Sequence, residues 1–186
     1  MADMVQIQLG TPATTEALFE PICILYDQVF SQPPFLWTDA ESAHHRKLLA
    51  TLIKEPSFGI AAAEARGQLV GFAYGYTLRP DTQWWQNFLE PLAEELTREW
   101  EGRTFALIDL AVPEAWRGHG LGRKLTEALL ASRTEERATL SVQPTATDTQ
   151  AFYVHLGWLK VGRKKMPPGI VSPFFDVYVV ELRPQP

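Results

Sequence analysis

The sequence predicts an α/β (α+β) fold, with a mixed sheet flanked by helices in a single domain. Three observations predict it. A length of 186 residues suits one domain with a substantial core. Hydrophobic residues at 46% and charged ones at 21% are the balance of a soluble globular chain. Segments of period 2 and of period 3.6 then follow one another as β-α-α-β-β-(insert)-β-α-β-α-β-β, an order that places helices on a sheet.

Each element has its own signal. "MVQIQLG" alternates and reads as the first strand. "TTEALFEPICILYDQVF" has helical period, with a Thr-Thr-Glu start as cap and Pro21 as a point of kinking. "SQPPFLWT" is a loop, and "DAESAHHRKLLATLIKE" is a second helix stopped before Pro56. "FGIAAAEA" and "LVGFAYGYTL" read as strands joined by a tight turn at "RGQ". In "RPDTQWWQNFLEPLAEELTREWEGR", Trp84, Trp85, Phe88, Leu89, Leu92, Leu96 and Trp100 recur at helical spacing. They predict a helical insertion at about 80–103, split at Pro91. A strand near Thr104–Val112 and a helix near Leu121–Ser132 come next. "ATLSVQP" is a strand, "DTQAFYVHLG" a short helix, and "WLKVGRKK" and "FFDVYVVEL" are closing strands. The last is apolar enough to pack across a homodimer and reads equally well as an internal strand.

Charge and composition exclude several functions. A net charge of −5 argues against nucleic acid as a partner. No apolar run reaches the length of a membrane span, and residues 1–16 lack the basic start and apolar block of a secretion signal. Cys23 is the only cysteine and sits in a helical apolar pattern, so it reads as a small buried hydrophobe in a reducing, cytoplasmic protein. His44 and His45 are adjacent on a helix, point to different sides and lack the spacing of metal ligands. Both read as surface residues, and no metal is expected.

The chemistry concentrates in "LIDLAVPEAWRGHGLGRKL", where a strand gives way to Arg117-Gly118-His119-Gly120-Leu121-Gly122-Arg123 and then to a helix. Glycine lets a backbone approach a ligand closely, and the following helix start offers unpaired N–H groups with partial positive charge. Together they make an anion site suited to a phosphate. A Walker A loop would need Gly-Lys-[Ser/Thr], whereas Gly122 precedes Arg123-Lys124-Leu125. The interval of "GHGLG" does not match the dinucleotide fingerprint either.

"RGHGLG" does satisfy R-x-x-G-x-G. With "LAVPEAWRG" before it and "TLSVQPTATDTQAFYVHLGWLKVG" after, residues 104–164 resemble the GNAT superfamily of N-acetyltransferases. The resemblance implies a mostly antiparallel sheet with a splayed central strand pair, and acetyl-CoA as acyl donor. It implies that the main chain of Gly118, His119, Gly120, Leu121, Gly122 and Arg123 cradles the pyrophosphate, with Arg117 near the phosphates. Leu110, Ala111 and Val112 would pair with the amides of the pantetheine arm. Tyr153 would donate a proton to the departing sulfur; the other reading of it is a core aromatic beside Phe152 and Leu156. The family often has Asn and Ala seven and four residues before this tyrosine, where this chain has Ala146 and Thr149.

Transfer to an amine requires that the amine be neutral. With a pKa of about 10.4, only about one lysine-like amine in 10³ is neutral at pH 7. Asp109 is the candidate base. It is the only ionisable residue in "TFALIDLAV", a strand apolar on both faces, where desolvation would raise its pKa. A structural carboxylate paired with a main-chain amide or an arginine is the alternative, and Glu64 is a second candidate. Residues 81–101 hold six acids (Asp81, Glu90, Glu94, Glu95, Glu99, Glu101) against Arg98, a local balance equal to the chain's −5. Such an acidic, tryptophan-bearing segment would suit a small cationic amine, or else is an amphipathic helix with a solvated acidic face. Three functions remain from the sequence: direct acetyl transfer to a primary amine, an acyl-CoA-binding sensor with little or no catalysis, and transfer of a different acyl group or to a hydroxyl.

Overall fold

The computed structural model describes residues 4–182. In chain order they form β1 (Gln6–Gly10), α1 (Pro12–Phe30), α2 (Asp39–Leu52), β2 (Gly59–Ala65), β3 (Gln68–Thr77), α3 (Glu94–Thr97), β4 (Thr104–Ala111), α4 (Leu121–Ala131), β5 (Arg137–Val142), α5 (Thr147–His155), β6 (Leu159–Lys165) and β7 (Phe174–Glu181). One seven-stranded sheet has the order β1-β2-β3-β4-β5-β7-β6. The β1–β2, β2–β3, β5–β7 and β6–β7 ladders are antiparallel and β4–β5 is parallel, which is the mixed, mostly antiparallel sheet expected. The parallel ladder pairs Thr104, Phe105 and Ala106 with Arg137, Ala138 and Thr139 and then stops: β4 and β5 are the splayed pair. β7 lies inside the sheet, the second of the two readings its sequence left open. No helix among the described residues is long and apolar enough to cross a membrane.

The chain forms two compact units. The first takes the chain up to Tyr76 and again from Leu107 to Arg133. Its core joins Ile22, Cys23, Leu25, Tyr26, Val29 and Phe30 of α1 to Leu49 and Leu52 of α2 and to Ile60, Phe72 and Tyr74 of the sheet. The α1 residues recur at helical spacing and so share one face. Pro21 sits within α1 without ending it, on the exposed side, and Thr11 and Pro12 supply the start. Thr38 caps α2, with its N–H donating to Glu41 at 2.8 Å in a capping box. Cys23 is fully buried, and burial pushes its thiol up to about 11. β3 comes so close to α4 that a Cβ on Gly71 would stand 3.0 Å from Leu125 Cδ1 and 3.3 Å from the Ala111 carbonyl.

The second unit takes Thr77–Ala106 and the chain from Thr134 onward. It corrects the expected helical insertion at 80–103: only Glu94–Thr97 is helical, as the single turn α3. The tryptophans are instead each tied by a separate hydrogen bond: Trp84 to β5, Trp85 within its own segment, and Trp100 to the residue before β5. Trp84 Nε1 donates to Thr139 at 3.1 Å, Trp85 Nε1 to Glu99 at 2.8 Å and Trp100 Nε1 to Glu136 at 3.0 Å. Their faces are occupied as well, by Lys164 over Trp84, Arg137 over Trp85 and Arg103 over Trp100. Helical spacing arose here without a helix, because each indole is fixed by its own partner and Pro91 interrupts the run.

Candidate active site

Asp109 lies on β4, and its side chain is 12% exposed. The Tyr74 phenol, from β3, donates to Asp109 Oδ2. Behind Tyr74 stands His45 of α2, its Nε2 3.0 Å from the phenol oxygen and 3.8 Å from Asp109 Oδ2. The imidazole stacks on Tyr26 of α1, with centroids 3.5 Å apart and planes within 6°. Burial pushes the Asp109 carboxyl up to about 6, against the opposing pull of the Tyr74 hydrogen bond. Burial, then Arg46 and His44, press His45 down to about 3, so the ring is neutral. Both phenols are pushed well above their ordinary value, chiefly by burial and next by Asp109, and keep their protons.

His45 is therefore not a surface residue. Helical phase is the reason: His45, Leu49 and Leu52 form the buried stripe of α2, while His44 is turned to solvent. That spacing of four and then three residues was the available signal, and the adjacent pair of histidines obscured it.

Beyond β4 the chain makes a 3₁₀ turn at Glu114–Trp116 and enters the glycine loop. Gly118 and Gly120 have φ of +77° and +75°, with nothing within 4 Å of where a Cβ would stand. Backbone conformation, not space, calls for glycine at both. Gly120 is the N-cap of α4 and no side chain caps it. Lys124 N to the Gly120 carbonyl, at 3.0 Å, opens the helical ladder, so the N–H groups of Leu121, Gly122 and Arg123 lie outside it. Arg117 Nε donates to the Val112 carbonyl at 2.8 Å, and His119 Nδ1 lies 2.8 Å from the Arg117 carbonyl. A carbonyl can only accept, so that ring nitrogen carries the proton and the two side chains brace the loop from within. Arg123 pairs with Glu127 one turn along α4.

Tyr153, on α5, is 4% exposed and meets Trp158 edge-on with centroids 5.6 Å apart. Ala146 occupies the N-cap position of α5 without a side-chain cap. The turn before α5 is closed by Gln150, whose Nε2 donates to the Pro144 carbonyl at 3.0 Å.

The model of the acetyltransferase (GNAT) family matches residues 23–158. The chain belongs to that family. Solved structures share the GNAT fold across nearly its whole length. The ribosomal-protein-S18-alanine N-acetyltransferase of Escherichia coli is 15% identical, with 98% of this chain and 97% of that one covered and a TM-score of 0.67. An aminoglycoside 6′-acetyltransferase type Ii is 17% identical over 97% of this chain and 99% of that one, also at 0.67. Arabidopsis thaliana NAA60 in complex with acetyl-CoA is 12% identical over 96% and 98%, again at 0.67. At these identities the likeness is one of fold. No curated protein matches in sequence.

In this GNAT chain Asp109, Leu110, Ala111, Val112 and the loop from Arg117 to Arg123 all belong to the first unit, on β4 and its continuation into α4. Tyr153 belongs to the second. Among the described residues, no three His, Cys, Asp or Glu side chains group as a metal ion would require. Sequence reasoning missed Tyr74 and His45, which reach the carboxyl of Asp109, and Tyr26, which stacks on His45.

Proposed function

We propose that the chain, working as one N-acetyltransferase domain over residues 1–186, transfers an acetyl group from acetyl-CoA to a primary amine of a small cationic acceptor. Transfer is direct, within a ternary complex. The observation that carries this reading is the junction of β4 and α4: an uncapped helix start led by two left-handed glycines, with a buried carboxyl of raised pKa on the same strand. The donor set fits a pyrophosphate, since the N–H groups of Leu121, Gly122 and Arg123 are outside the helical ladder and the N-cap Gly120 has no side chain to cap them. Leu110, Ala111 and Val112 receive the amides of the pantetheine arm on the side of β4 where the parallel ladder has ended.

Asp109 takes a proton from the acceptor's ammonium. The freed amine attacks the thioester carbonyl, the C–S bond breaks, and Tyr153 gives its phenolic proton to the leaving thiolate. A carboxyl near 6 is a better acceptor than an ordinary aspartate and still largely ionised at neutral pH. A cationic acceptor is supported by the exposed Glu90, Glu95 and Glu101. The indoles add little to it, because their faces already carry the chain's own cations. A lone buried cysteine fits a cytoplasmic site of action.

Free-thiol release from acetyl-CoA, measured with polyamines, aminoglycosides, amino acids and a basic peptide, tests the reading. Release should depend on one amine class. Asp109→Asn should lower kcat/KM by about 10²-fold or more, and Tyr153→Phe should lower kcat while acetyl-CoA still binds. Saturable acetyl-CoA binding with no release from any amine would replace the transferase by an acyl-CoA-binding module.

A further inference from the structure

The Asp109 carboxyl is approached from three elements, and the proton positions among them are constrained. Tyr74 has one proton and gives it to Asp109 Oδ2, so toward His45 the phenol oxygen can only accept. Nε2 of His45 must then carry the imidazole proton. Nδ1 is left with a lone pair, and it is buried with no hydrogen-bond partner among the described residues. The opposite arrangement would require a proton on Oδ2 and another on Nδ1, where nothing receives it. Orphaned buried donors are rarer than orphaned acceptors. Tyr26, stacked on the imidazole, holds the ring plane that aims Nε2 at the phenol. Oδ1 of Asp109 has no hydrogen-bond partner among the described residues.

We propose that His45 and Tyr74 are positioning residues that fix the Asp109 carboxylate in one polarity: a one-way chain from Nε2–H through the phenol O–H saturates Oδ2 and leaves Oδ1 as the atom that receives the acceptor's proton. This rests on the reading of Asp109 as the base. One N–H bond of the ammonium breaks, its electron pair stays on nitrogen, and an O–H bond forms at Oδ1. The proton leaves Oδ1 for solvent after the product departs. Nothing travels along the chain to His45, which stays neutral throughout. The titratable groups near the carboxyl are Tyr74 of β3, His45 of α2 and Tyr26 of α1. Cys23 and Asp27 lie behind them on α1, and Glu41, His44 and Arg46 on α2. Burial and Tyr74 are the two influences that set Asp109 itself.

The first test needs neither a variant nor turnover: nitrogen-15 spectra of the histidine-labelled full chain across the neutral and mildly acidic range. His45 should hold the Nε2–H tautomer throughout. An Nδ1–H tautomer, or ordinary titration at about 6.5, overturns the chain. The second test titrates the Asp109 carboxyl by carbon-13 in wild type and in Tyr74→Phe, and compares the acid limb of kcat/KM in both. Losing the phenol donor should raise the carboxyl pKa and move the limb upward together, by about one pH unit. A carboxyl that does not move overturns the proposal. A carboxyl that moves while the limb stays in place keeps Asp109 positioned by Tyr74 but removes it as the base, so the two failures are distinguishable.

Discussion

Asp109 is a carboxyl whose folded state prefers the proton. Burial outweighs the Tyr74 hydrogen bond and carries it from 3.8 to about 6, so the native chain binds that proton more tightly than the unfolded chain. The stability this contributes is complete below pH 3.8 and is lost as pH rises through about 6. At neutral pH the loss is about 2–3 kcal/mol. Asp109→Asn keeps an oxygen for the Tyr74 phenol and removes the charge. It should therefore be more stable than wild type at neutral pH by about 1–3 kcal/mol, with the gap closing toward about pH 4. Urea unfolding at the two pH values measures this. An equal gap at both would mean that desolvation is not what raises the carboxyl. The same substitution that would remove the proposed base should thus strengthen the fold, as expected where a site holds a charge at the expense of stability.

Two glycines of the first unit serve their elements for different reasons, and substitution should separate them. Gly120 caps α4 in a left-handed conformation with open space around it. Gly120→Ala meets no neighbour but opposes the backbone by about 1 kcal/mol. That should tilt the loop amides away from a phosphate and weaken acetyl-CoA binding about 5–10-fold, with a small change in Tm. Gly71 has no unusual backbone, but its missing Cβ makes room for Leu125 and the Ala111 carbonyl. Gly71→Ala should lower stability by about 1–2 kcal/mol and leave acetyl-CoA affinity near wild type in whatever fraction stays folded. Calorimetric titration with acetyl-CoA beside thermal unfolding reads both quantities. If Gly120→Ala bound as well as wild type, the loop amides would not be the phosphate donors.

The order of elements was legible at the scale of the molecule because each helix and strand carries its own period, and the glycine loop was legible because its signal is contiguous. The segment from 80 to 103 was not, since its aromatic spacing reflects a separate hydrogen-bond partner for each indole. The surroundings of Asp109 were hidden for another reason: His45 and Tyr74 lie 29 residues apart and Tyr74 and Asp109 lie 35 apart, so only the folded chain brings them together. Their assembly has a consequence for the stability of the chain as pH changes. His45 is the mirror image of Asp109. Its folded pKa is depressed from 6.5 to about 3, so its stability is present above 6.5 and lost as pH falls toward about 3. Between about pH 4 and 6 the two titrations oppose each other, each with a slope of up to about 1.4 kcal/mol per pH unit. Wild type should consequently show a shallow dependence of Tm on pH in that window. His45→Gln keeps a donor for Tyr74 and removes one titration, so its Tm should fall as pH rises. Asp109→Asn removes the other, so its Tm should rise with pH. Thermal unfolding of the three proteins across the window decides the matter. Parallel profiles would mean that the buried pair does not govern the balance, and opposite slopes would mean that His45 and Asp109 together hold the fold level across the range in which Asp109 changes charge.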